Sequence, residues 1–180
     1  MKTRTLALLT MLSVAAVLGY AQEPNHDDMQ NCPMHKEHAA DAHHAMVERH
    51  GDQGMGFSHQ TTTHHFRMLS DGGAIEVTAN SPDDKSDMNA IRSHLAHIAV
   101  AFGNGDFSTP MFVHDGVPPG STTMQLLKSK IAYKYEELPS GGRVRIQSSD
   151  PVALAGIHDF LRFQIAEHQT GDSLEVADNR

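Results

Sequence analysis

At 180 residues, with 14 Lys and Arg against 22 Asp and Glu, the chain has room for one ordinary domain and little more, and it is acidic. That charge argues against nucleic acid or an anionic membrane surface as partner and suits soluble cations. Cys32 is the only cysteine, so no internal disulfide can form, and with no tryptophan the core must come from Ile, Leu, Val, Met and Phe.

The first 21 residues read as a secretory signal peptide. Lys2 and Arg4 precede an apolar run from Leu6 to Leu18, interrupted only by Thr10 and Ser13. Gly19-Tyr20-Ala21 then supplies the small residues of a cleavage site after Ala21. The run is short for a membrane span, and no cysteine near the site offers a lipid anchor. The expected product is a soluble periplasmic or secreted protein. Loss of Lys2 and Arg4 leaves 12 basic against 22 acidic residues, a net charge of −10.

Residues 22–60 hold seven histidines (His26, His35, His38, His43, His44, His50, His59), four methionines, Cys32 and a single branched apolar residue, Val47. A stretch so poor in core formers is expected to be a disordered tail, with at most a weak helix from His35 to Arg49. Its composition points to metal binding. Cys32-Pro33-Met34-His35 packs thiolate, thioether and imidazole into four residues, a soft set suited to Cu(I) or Ag(I), with the thiolate and imidazole also suited to Zn(II). The candidate ligands here are Cys32, Met34, His35, His38, His43 and His44. This string resembles the Cys-Pro-Met-His core of the small heavy-metal-binding domain of metal efflux proteins. The resemblance implies copper or zinc as cargo and a metal efflux or transfer protein as partner. It covers four residues, because Gln30-Asn31 and Lys36 replace that domain's flanking aromatic and proline.

A folded domain is expected over residues 61–172, with 173–180 disordered. Strands 63–70 and 73–79 flank Asp71-Gly72, a two-residue hairpin signal. That loop places Met68 opposite Ile75, Arg67 opposite Glu76 and Phe66 opposite Val77, and puts His64 on the apolar face with His65 on the polar one. His64 is then either a metal ligand or a neutral core histidine bonded to backbone. Ser81 and Pro82 suggest a helix start. The helix should run to about Phe102 on an apolar stripe of Met88, Ile91, Leu95, Ile98 and Phe102. His94 and His97 are neighbours on it, His94 at the edge of the stripe and His97 nearer solvent. Asp106 to Pro110 reads as a turn and Met111 to Val113 as a short extended segment. It ends at His114, which is either an exposed turn residue or a ligand oriented by Asp115.

A short helix around Ser121 to Lys130 should point Met124 and Leu127 inward. A second hairpin around Pro139-Ser140-Gly141-Gly142 sets Glu136 opposite Arg145 and Tyr135 opposite Ile146. The last helix has Asp150 as N-cap and Pro151 at its first position, and it ends near Gln169. Leu154, Ile157, Leu161, Ile165 and His168 form its inward stripe, with His158 beside it. His158 and His168 lie about 15 Å apart along the axis, too far to share one ion. His168 is either a ligand or a cation at a helix C-terminus. The fold class is α+β: two antiparallel hairpins in one sheet, with two main helices and one short helix on its apolar face.

The strings Thr-Thr-Thr-His-His-Phe, His-Leu-x-His-Ile, Gly-Asp-Phe and Phe-Leu-Arg-Phe-Gln-Ile-x-Glu-His-Gln-Thr-Gly-Asp resemble a group of small exported bacterial proteins of unknown function, over most of residues 56–172. Some of that group carry an aspartate carbamoyltransferase label. The Ser-Thr-Arg-Thr phosphate loop that activity requires is missing, and the nearest string, Lys2-Thr3-Arg4-Thr5, lies in the signal peptide. Three functions remain. The first is an exported protein that buffers, senses or hands on copper or zinc. The second is a metalloenzyme with a site drawn from His64, His94, His97 and His114. The third is an interaction domain whose tail binds metal incidentally. No His-Glu-x-x-His, Cys-x-x-Cys-His or Ser/His/Asp signature favours catalysis.

Overall fold

The computed structural model describes residues 33–178, so the expected signal peptide and Cys32 lie outside the described residues. From residue 37 onward the chain forms one compact unit. Its order is α1 (Pro33–Met55), β1 (Thr62–Leu69), β2 (Gly72–Ala79), α2 (Lys85–Gly103), α3 (Ser108–Val113), α4 (Ser121–Leu126), a single 3-10 turn (Lys128–Lys130), β3 (Ile131–Leu138), β4 (Gly141–Ser148) and α5 (Pro151–Glu167). The four strands form one antiparallel sheet in the order β1-β2-β4-β3, which is the expected α+β architecture.

Alternation along the strands sets the two faces of the sheet. Phe66, Met68, Ile75, Val77, Val144 and Ile146 point to one side and are buried. There they meet Met88, Ile91, Leu95, Ile98 and Phe102 of α2, and Ile157, Phe160, Leu161 and Ile165 of α5. Burying each such side chain is worth roughly 1.5–3 kcal/mol. A trio of Phe102, Phe107 and Phe160, with ring centroids 4.4–5.9 Å apart, packs where the helices converge. The other sheet face is charged: Arg143 bonds Glu76 at 2.8 Å and Glu136 at 3.4 Å, and Arg145 pairs with Asp71.

Both hairpins pair two residues away from the expected register. Phe66 faces Ile75, His64 faces Val77 and Arg67 faces Ala74. Likewise Tyr135 faces Val144 and Glu136 faces Arg143. The loops are Ser70-Asp71 and Pro139-Ser140, and the glycine pairs that seemed to belong to them open the strands instead. A shift of two residues keeps every side chain on its expected face, so Arg67 still reaches Glu76, diagonally, at 3.5 Å. The glycines enter the strands because the neighbouring backbone passes where a Cβ would sit. At Gly72, which has φ +140°, a Cβ would lie 2.1 Å from the Ile146 carbonyl oxygen, and at Gly141 2.0 Å from that of Val77.

The two ββα units are alike. Exchanging Gly72 with Gly141, Ile75 with Val144 and Thr78 with Gln147 maps the β2–β4 pairing onto itself, with Ile75–Val144 at its centre.

Other expectations are corrected. Residues 22–60 are not a disordered tail throughout: α1 runs from Pro33 to Met55, and its one branched residue, Val47, is fully buried. α2 starts at Lys85, capped by the Asp84 carboxylate on the Asp87 N–H rather than by Ser81. Met111 to Val113 are helical, not extended, because Ser108-Thr109-Pro110 opens α3. The C-terminal residues are also placed up to 178. Ala177 bridges Leu69, taking a bond from the Ser70 N–H and giving one to the Met68 carbonyl, both 2.9 Å, and so covers the outer edge of β1.

Gly141→Ala is expected to lower the unfolding free energy by about 2 kcal/mol or more, as overpacking against backbone does. Gly116→Ala, whose added Cβ would find its nearest neighbour at 3.8 Å, should change it by no more than about 0.5 kcal/mol. Urea unfolding of the two variants checks this. Equal midpoints would show that the glycine pairs do not set the register.

Candidate metal centre

Four histidines from four elements line one apolar cavity of about 80 Å³ beneath α1: His64 of β1, His94 of α2, His114 after α3 and His168 at the end of α5. Met55, in the last turn of α1, closes it. Each arrives by simple local logic. His64 lies on the inward face of β1, one position along from Phe66 in the alternation. His94 precedes Leu95 at the edge of the α2 stripe. His168 is the C-cap of α5, in line with Leu161 and Ile165. His114 caps α3 and is buried, so the reading of an exposed turn histidine is wrong.

Their partners set these rings apart from the other histidines. The His158 Nε2–H donates to the carbonyls of Leu69 and Gly72 at 2.9 and 3.0 Å. The His50 Nδ1–H donates to the Phe112 carbonyl at 3.1 Å. His65 bonds Asp172, whose other carboxylate oxygen accepts the Phe66 N–H. These are structural roles. In the cavity, by contrast, His64 Nε2 lies 3.2 Å from Met55 Sδ, and His114 Nε2 lies 3.1 Å from Gln164 Oε1. His94 and His168 are held, among the described residues, by ring contacts. His94 stands edge-on to Phe57. His168 stacks parallel to His64 at 6.2 Å and edge-on to His114 at 5.1 Å. None of the four ring systems is tied to main chain.

Burial governs the charge state of these rings. Desolvation, then the nearby charge of His94, pulls His64 down to about 4. Desolvation, then His97, takes His94 to about 4, and desolvation with His114 and His64 takes His168 to about 3. His114 is lowered by burial, against the opposing pull of Gln164 and Glu167. All four are therefore neutral imidazoles at neutral pH, with lone pairs available. His168 is not a helix C-terminal cation.

On its outer side, Met55, Gly51, His64 and His168 also wall a second, more polar cavity, lined in addition by His44, Glu48 and His59. Glu48 Oε1 stands 3.4 Å from both the His44 and the His59 Nε2. Among the described residues no group of three or more His, Cys, Asp or Glu is placed to hold a metal ion as it stands.

The other anticipated ligands are scattered. Cys32 lies outside the described residues, as do the side chains of Met34 and His35. His38 and His97 are exposed. His43 Nε2 meets the Glu167 carboxylate at 2.6 Å and His44 Nδ1 the Glu167 carbonyl at 3.2 Å. Met55 and His168 are the members that sequence reasoning did not select. His168 carried a usable signal, its place on the inward stripe of α5. Met55 carried none, because the glycine-rich end of α1 shows no apolar period.

The lowered imidazoles make stability depend on pH. An unfolded histidine binds its proton near 6.5, the folded His64 and His94 only near 4. Between those values the unfolded chain holds more protons, so stability is present above 6.5 and is lost as the pH falls toward 4. Metal-free protein is expected to lose about 2 kcal/mol or more of unfolding free energy between pH 7 and pH 5. The loss should shrink in His168→Phe. Urea midpoints that do not move with pH would contradict it.

No family model, curated protein or solved structure matches this chain, so its function has to be argued from the cavity itself.

Proposed function

We propose that this is an exported, soluble metal-binding protein that buffers, senses or hands on a soft cation, with Cu(I) its first cargo. The observation that carries the reading is the Met55–His64 pair, thioether sulfur and imidazole nitrogen 3.2 Å apart at the wall of the cavity. Metal bonds of roughly 2.0–2.3 Å place two ligands on one ion about 3–3.7 Å apart. A neutral thioether and imidazole set in an apolar chamber suits a monovalent soft ion, because no carboxylate is needed to offset a second charge. His168, stacked on His64 with ring centroids 6.2 Å apart, is a candidate third donor.

Further support comes from the buried His114 and the half-buried His64, His94 and His168, none bonded to main chain among the described residues, and from the Cys-Pro-Met-His string of residues 32–35, which adds a second soft set. Export rests on the stretch from Lys2 to Ala21. No described helix is long and apolar enough to cross a membrane. Zinc is the second cargo, favoured by the imidazoles of the tail. A metalloenzyme built on the same cavity would need an open coordination position beside an acid or base, and Glu167 is the carboxylate that faces His114, at 3.6 Å.

The test is anaerobic Cu(I) competition against a chromophoric chelator, using the mature chain with Cys32→Ser to remove the competing thiolate. One tightly held Cu(I) is expected. Met55→Leu, which conserves volume, should weaken it about tenfold or more, as should His64→Gln. Unchanged affinity in both variants, or no binding tighter than micromolar, would sink the cavity as a copper site.

A further inference from the structure

We infer that the cavity has a second cation subsite of different chemistry, between His114 Nδ1 and a Glu167 carboxylate oxygen, which takes a borderline divalent ion such as Zn(II). The inference rests on the cavity being a metal site, and it concerns the end of the cavity away from Met55.

The starting point is an orphan. Among the described residues His114 Nδ1 has no hydrogen-bond partner, although its side chain is 2% exposed. Gln164 explains which nitrogen is left over. Its Oε1 lies 3.1 Å from His114 Nε2, and with Nε2–H donating to it the lone pair is left on Nδ1. Fixing the tautomer through the far nitrogen is how a ligating imidazole is prepared. Glu167 Oε2 faces that lone pair at 3.6 Å, beyond hydrogen-bond reach. Two acceptors facing one another in a desolvated place are unfavourable unless a cation joins them. Bonds of about 2.0–2.2 Å to a tetrahedral ion set nitrogen and oxygen about 3.4 Å apart, close to the observed separation. Two protein donors leave the remaining positions to water. Such a site needs no third residue from the protein.

The carboxylate is held in place from the solvent side. His43 Nε2 donates to the same Oε2 at 2.6 Å, and the His44 ring bonds the Glu167 carbonyl. Exposure falls in one direction, from 48% for the His43 side chain to 22% for Glu167 and 2% for His114. Beyond His114 come His168, His64 and Met55. The subsite therefore stands on the His43 side of the cavity, as the second, more polar cavity stands on the Met55 side. Its hard oxygen and single nitrogen suit a divalent ion, and the far end suits a monovalent one.

The test is a Zn(II) titration of the full mature chain, followed by the ring-nitrogen resonances of each histidine. Metal-free protein should show His114 as the Nε2–H tautomer, and Zn(II) should shift its Nδ1. Glu167→Gln should weaken the Zn(II) response at His114 about tenfold or more while leaving Cu(I) affinity within about twofold. Met55→Leu should do the reverse, so loss of the Cu(I) site and loss of this subsite are separable. Gln164→Leu should weaken Zn(II) at His114 and release the tautomer. The inference is overturned if the free protein carries the proton on Nδ1. It is also overturned if Zn(II) shifts only the histidines of the α1 segment, or if Glu167→Gln leaves the His114 response unchanged.

Discussion

Four imidazoles desolvated around one small apolar space is the constraint on which the rest of this structure depends. A buried histidine is ordinarily made tolerable by a main-chain acceptor, as His158 is by the Leu69 and Gly72 carbonyls. The cavity rings take a thioether, an amide and each other instead. Burial keeps them uncharged, and neutrality makes them donors. The expected cost is a fold less stable in acid. What offsets it is the surrounding hydrocarbon: the Phe102, Phe107 and Phe160 trio and the two helix stripes that press against the sheet.

Helix α1 contributes in a way its composition hides. It has almost no branched apolar residues, yet it is held against the domain by imidazoles: His43 and His44 on Glu167, and His50 stacked on Phe112 at 4.9 Å and bonded to its carbonyl. Val47 adds a single apolar anchor. The groups that fasten the helix are thus of the same kind as those that line the cavity, and Met55 belongs to both helix and cavity. One segment thus both lines the cavity and covers it.

How far the sequence reveals this can be argued from particular residues. Strand parity was legible, because alternation at Phe66, Met68, Ile75 and Val77 survives any even shift, and so His64 was correctly turned inward. Register was not, because the glycine pairs carry two signals: they permit turns, and they permit close backbone approach. Only the packing of β4 against β2 decides between them. The meeting of His64 with His94 and His114 follows from tertiary packing across distant elements, which no local period encodes. A weak helix over His35 to Arg49 is legible, but the full extent of α1 and its packing on the domain are not, because its stabilising contacts are polar and long-range and hydrophobic patterning does not register them.

The self-mapping of the β2–β4 pairing about Ile75–Val144 has a consequence for ancestry. A half-length ββα chain could build the same four-stranded sheet by associating with a second copy of itself. Tandem fusion of two such copies would then free each half to diverge. The equivalent of His64 in the second half is Tyr133, whose buried hydroxyl has no partner. At that strand position histidine was thus acquired, or retained, by one half alone, while the second half supplies His168 to the same cavity from its helix.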